Sequence, residues 1–172
     1  MNTKGQFFSP DLIIAIGIFI FSLVLFWAAS NAVFAQIDLF NSRIEADEIA
    51  HSLLNSLVLS PGKPINWETY SLSDINSFGL VHENNIIDAN KIVSLVNLLN
   101  SSEYALVKYK LGAGIYELQL SVLDSKGDVV LIPSSLLGGQ IVTEPVLKVT
   151  YNRIVYYNGE QALLQAVLSI EE

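Results

Sequence analysis

The sequence predicts an α+β protein in which a long N-terminal helix, membrane-spanning and then amphipathic, packs on an antiparallel β-sheet domain. Three observations carry this. Leu12 to Ile37 is a run of 26 residues without a charge. No Pro or Gly falls between Gly17 and Pro61, so nothing in that stretch breaks a helix. The C-terminal third alternates apolar and polar residues around Asn158-Gly159, a dipeptide that favours two-residue hairpin turns.

The helix begins at Ser9-Pro10-Asp11, where Ser9 suits the N-cap, Pro10 the first turn and Asp11 the positive end of the helix dipole. A bilayer core of ~30 Å needs ~20 apolar residues, and this run exceeds that. A buried helix of a soluble protein would need a polar stripe, which the first 20 residues of the run lack. A secretory signal peptide has an apolar core of only about 7–15 residues, so the segment is read as retained. Beyond it, Leu39, Ile44, Ile49, Leu53, Leu54 and Leu57 recur at helical spacing among charges, which predicts an amphipathic continuation up to Ser60-Pro61-Gly62. The expected organisation is a short cytoplasmic tail at 1–8, a membrane helix at 9–37, its continuation at 38–59 and an α+β ectodomain at 60–172.

Within that ectodomain Ser71 to Ser77 suits a helical turn. Asp88 suits the N-cap of a helix presenting Ile92, Leu95, Val96 and Leu99. The stretch 102–111 fits a helix capped by Ser102 and also fits a strand. From Tyr116 the period is two, and a turn at 124–127 separates this strand from a returning 129–132. Residues 133–139 read as loop, and two strands flank Asn158-Gly159. The expected sheet has four or five strands.

The chain has 172 residues and a net charge of −8. Lys4 and Asp11 cancel, so the 16 acidic and 8 basic residues beyond Ile37 hold the whole excess. Such a domain repels phosphate backbones, which argues against nucleic-acid partners. With no cysteine, thiolate metal sites, disulfides and cysteine nucleophiles are excluded. Lys4 places the N-terminus on the cytoplasmic side and the ectodomain outside, although Arg43 weighs the other way.

No nucleophile elbow, phosphate loop, dinucleotide glycine motif or carboxylate pair occurs, so no enzyme, cofactor or catalytic residue is expected. His51 among Glu45, Asp47 and Glu48 reads as solvated surface rather than a metal site. Trp67, Tyr70, Tyr151, Tyr156 and Tyr157 read as packing residues, with a sugar platform as the rival use. Asn100-Ser101-Ser102 is an N-glycosylation sequon if the ectodomain lies outside the cell.

The order Lys4-Gly5-Gln6, then the apolar run, resembles the signal of the type IV pilin superfamily, its archaeal pilin-like branch in particular. Pro64-Ile65-Asn66-Trp67, the stretch from Gly79-Leu80 to Asn97-Leu98, and Arg153-Ile154-Val155 to Leu164 are similar to archaeal pilin-like proteins. The resemblance implies cleavage between Gly5 and Gln6 by a prepilin peptidase. It also implies retention of the helix as membrane anchor and later as filament core, with other pilin-like subunits as partners. Small residues such as Gly17, Ala28, Ala29 and Ala32 would let such helices approach. It further implies an acid that pairs with a neighbour's N-terminal amine. Counted from Gln6 the fifth position is Pro10, and the acid, Asp11, is the sixth; this departure favours a minor or pilin-like subunit. A single-pass surface binding or adhesion protein that never polymerises is the alternative.

Overall fold

A computed structural model describes residues 10–83, 86–131, 135–140 and 142–171. It is α+β, with one 50-residue helix, two short helices and a six-stranded sheet. Helix α1 spans Pro10–Leu59, so Pro10 and Asp11 occupy its first turn, while Ser9 lies outside the described residues. Two compact units divide the chain, Met1–Asn41 and Ser42–Glu172. The first is α1 up to Asn41. The second holds the last turns of α1 with everything that follows, so its core begins on the helix.

In the second unit α1 buries Ala46, Ala50, Leu53, Leu54, Leu57 and Val58. That spacing is one helical stripe, and its outward side carries Asp47, Glu48 and His51. The seam differs from the apolar pattern in one respect. Ile44 is exposed, and Ala46 and Ala50 take the buried positions, because small side chains let the helix lie close to its neighbours. The helix ends at a tight crossing. A side chain on Gly79 would collide with the Ser60 carbonyl and the Gly62 amide, and Gly62 itself has φ +85°. Leu80 N–H donates to the Leu57 carbonyl at 2.8 Å, and buried Lys91 donates Nζ to the Pro61 carbonyl at 2.7 Å. The first bond occupies a carbonyl that the helix end leaves without an intrahelical partner, and the second holds the chain just beyond that end.

A 3₁₀ turn at Leu72–Asp74 falls where the sequence predicts one. Strands β1 (Val81–Glu83) and β2 (Ile86–Ile87) precede α2 (Ala89–Leu99), whose N-cap Asp88 accepts from the Asn90 and Lys91 amides. Helix α3 is Tyr104–Lys110, which decides the ambiguous stretch for helix. Tyr104 and Val107 are buried one turn apart, and Lys108 and Lys110 favour the negative end of its dipole. Its N-cap is Glu103 rather than Ser102, and Ser101 Oγ accepts the Glu103 amide at 3.1 Å.

Strands β3 (Glu117–Leu123), β4 (Leu137–Gly139), β5 (Leu147–Tyr157) and β6 (Glu160–Ile170) complete the sheet in the order β1-β2-β5-β6-β3-β4. Every pair is antiparallel except β2 with β5, joined in parallel at Ile86 and Tyr156. Asn158 (φ 51°) and Gly159 (φ +83°) make the two-residue turn of the β5–β6 hairpin. The inner face buries Leu118, Leu120, Val122, Val149, Val155, Ala162, Leu164, Ala166 and Leu168.

Two expectations fail on the chain between β3 and β5. Val129 pairs with Leu123 at a single bridge instead of opening a strand, and Ile132 lies outside the described residues. The predicted loop 133–139 ends in edge strand β4. Gly138 and Gly139 look like loop residues, but each is required by a close approach. A side chain on Gly138 would press on Val96 and Leu99 of α2, and Gly139 has φ +101° against the Leu118 carbonyl.

Candidate functional site

The surface with the clearest chemical character is α1 from Pro10 to Asn41. It is one helix long and apolar enough to cross a membrane, and no residue of its most apolar window is buried within the chain. Ile13, Phe19, Phe21, Phe26, Trp27 and Phe34 all project freely. The backbone bonds itself, and Ser22 turns its Oγ to the Ile18 carbonyl at 2.8 Å, which satisfies a hydroxyl without water. Gly17 has nothing within 4 Å of where a Cβ would stand, so packing inside this chain does not require a glycine there. An uncovered apolar helix of this length is stable only against lipid or other apolar helices.

Asp11 lies in the first turn of this helix. Lys4, Gly5 and Gln6 lie outside the described residues. Asn100 is exposed, but its side-chain amide is already engaged. Nδ2 donates to the Leu137 carbonyl at 3.0 Å, and Oδ1 accepts the Gly139 amide at 3.1 Å. The sequon asparagine thus holds β4 against the end of α2, a role its triplet does not announce.

The aromatic residues do not form one platform. Trp67 is buried, with its indole N–H on the Gly79 carbonyl at 2.7 Å and its ring edge-on to Phe78. Tyr156 and Tyr157 point to opposite faces of β5, and Tyr151 meets the His51 ring edge-on at 5.1 Å between centroids. Among the described residues no group of three His, Asp or Glu side chains is placed to hold a metal ion. A depression of about 530 Å³ lies where the β5–β6 hairpin meets the turn after β3, and Asp124, Asp128, Tyr157 and Glu160 line it. Asp124 faces its own turn there, accepting the Lys126 and Asp128 amides at 2.8 and 3.0 Å. Those amides, Asp128's foremost, hold its carboxyl below the ordinary range.

The strongest polar network joins α3 to β3. Lys108 Nζ bonds Glu117 Oε1 at 2.7 Å, and Tyr104 donates to Glu117 Oε2 at 2.7 Å while accepting the Leu118 amide at 2.9 Å. Burial works to raise the Glu117 pKa, but the bonds from Lys108 and Tyr104 together outweigh it and hold the carboxyl below its usual value. Burial pushes the Tyr104 phenol up. Every member is satisfied, so the network fixes α3 in place. Spacing along the chain does not reveal it, because Tyr104 and Lys108 lie on α3 while Glu117 lies on β3.

Set against protein-family models, curated proteins and solved structures, the chain matches none.

Proposed function

We propose that this protein is a membrane-anchored structural subunit of the type IV pilin kind, a minor or pilin-like one, assembled through its N-terminal helix, with its sheet domain facing outward. One observation carries the reading. A single helix buries no residue from Pro10 to Asn41 and buries one stripe, Ala46 to Val58, in a domain core. An apolar surface of that extent needs lipid before assembly, and neighbouring helices can replace lipid afterwards. Gly17, Ala28, Ala29 and Ala32 offer close approach to such neighbours. Under this reading Gly5-Gln6 is the cleavage point of an archaeal prepilin-type signal. Asp11 is then the residue that meets the amine of an incoming subunit.

The test separates anchor from subunit. Cells are fractionated into membranes and sheared surface filaments, and the mass of the extracted protein is measured. A chain beginning at Gln6 and present in filaments supports the subunit reading. Asp11→Ala should leave membrane insertion intact and deplete the protein from filaments. An uncleaved chain found only in membranes would instead favour the non-polymerising surface protein.

A further inference from the structure

We infer that the open edge of β5 accepts an extended segment of a partner protein as an added strand, and that this segment carries acidic side chains four residues apart. Such pairing is independent of whether the chain assembles through its N-terminal helix. Hydrogen-bond alternation fixes which backbone groups are open. Gln140 N–H donates to the Leu118 carbonyl and Val122 N–H to the Leu136 carbonyl, so the even residues of β3 turn their backbone groups toward β4. Its odd residues therefore bond β6, and the β6 register then places the odd residues of β5 on β6. Lys148, Thr150, Asn152, Ile154 and Tyr156 turn their N–H and C=O the other way. On that side β2 meets only Tyr156, through Ile86. Among the described residues no ladder reaches β5 there from Lys148 to Ile154, a stretch of ~23 Å.

The two ends of the sheet are not open in this way. Strand β1 has three residues, and Asn100 occupies the Leu137 carbonyl and the Gly139 amide on the outer side of β4. A long strand with one unpaired edge is a template for another strand. A depression of about 450 Å³ lies along β5, lined by Tyr151, Asn152, Arg153, Ile154 and Tyr156, all of that strand. The side chains beside the edge define what suits it. Lys148, Thr150, Asn152 and Ile154 are exposed on the face opposite buried Val149 and Val155. On that face Gln165 Nε2 donates to Asn152 Oδ1 at 3.0 Å, so the Asn152 amide keeps its donors for an acceptor on the next strand. Lys148 adds a cation four residues away on the same face. Strand β5 holds two bases, Lys148 and Arg153, and no acid, although the chain beyond Ile37 has 16 acidic and 8 basic residues. One carboxylate opposite Asn152 and another opposite Lys148 match both positions.

The test is amide hydrogen exchange, followed residue by residue on the full chain in neutral detergent micelles. The probe is a capped octapeptide alternating threonine and glutamate. One control replaces its glutamates by lysine. The other N-methylates the glutamates, the residues whose backbone would face β5. Without peptide, the amides of Lys148, Thr150, Asn152 and Ile154 should exchange severalfold faster than those of Val149, Tyr151 and Arg153. Millimolar acidic peptide should slow those four severalfold, and neither control should. Lys148→Glu, at an exposed position, should weaken the effect of the acidic peptide severalfold. Four amides that are slow in dilute protein without peptide show the edge already covered and overturn the inference. Slowing that grows with protein concentration assigns the edge to a second copy, and the inference fails. It fails also if millimolar acidic peptide slows none of the four. Equal slowing by acidic and basic peptides, or equal slowing in Lys148→Glu and the parent, overturns the acidic partner.

Discussion

Replacing Leu54 by alanine separates the two halves of α1 by measurement. Leu54 is fully buried in the seam between the helix and the rest of the second unit. The change removes three carbons, worth about 2.4 kcal/mol at ~0.8 kcal/mol each, and the unfilled space adds to that. A loss of about 3 kcal/mol is expected, within the 2–5 kcal/mol range of buried Leu→Ala changes. With a urea slope of ~2 kcal/mol/M, the unfolding midpoint should fall by about 1.5 M. Buried Trp67 reports on this unit, and Trp27→Phe removes the other tryptophan from the signal. The assay is urea unfolding of the full chain in detergent micelles, read by Trp67 fluorescence. Leu25→Ala is the companion variant. Leu25 is 54% exposed and lies in the half of α1 where no described residue is buried, so its midpoint should move by no more than ~0.25 M. Comparable shifts from the two variants would refute the division of the helix into a free half and a core half.

Asn100→Ala removes both side-chain bonds from the end of α2 to β4, and should cost about 1–3 kcal/mol, with faster amide exchange at Gly139. Unchanged exchange there would deny the residue its positioning role. Stability should also depend on pH through Glu117, whose carboxyl is held below its ordinary value of 4.5 in the folded protein. That contribution is fully present above about pH 4.5 and is lost as pH falls from there through the lower folded value. Lys108→Met leaves burial opposed by Tyr104 alone, so the loss on acidification should shrink or change sign. Urea midpoints of both proteins between pH 3 and pH 7 check this, and identical profiles would count against the network.

The elements read most directly from sequence are those whose cause is local. A run without charge from Leu12 to Ile37 has no alternative to a helix once it leaves water. Asp88 caps α2 because its side chain reaches amides two and three residues on, and Asn158-Gly159 turns a hairpin through its own backbone preferences. The inner faces of β3, β5 and β6 follow from strict alternation. The stretch 102–111 matched two periods, and burial of Tyr104 and Val107 against the rest of the core decided for helix. Strand β4 was hidden because its glycines exist for contacts with α2 and the Leu118 carbonyl, which lie far off in sequence. The network of Lys108, Glu117 and Tyr104 and the two hydrogen bonds of Asn100 to β4 have the same origin. Each depends on which distant residues meet, and pattern along one chain does not record that. Local chemistry therefore set the long helix, the caps and the hairpin. Folding decided where the helix stops being free surface and becomes core, because Ala46 and Ala50 are seam residues only when a sheet lies against them.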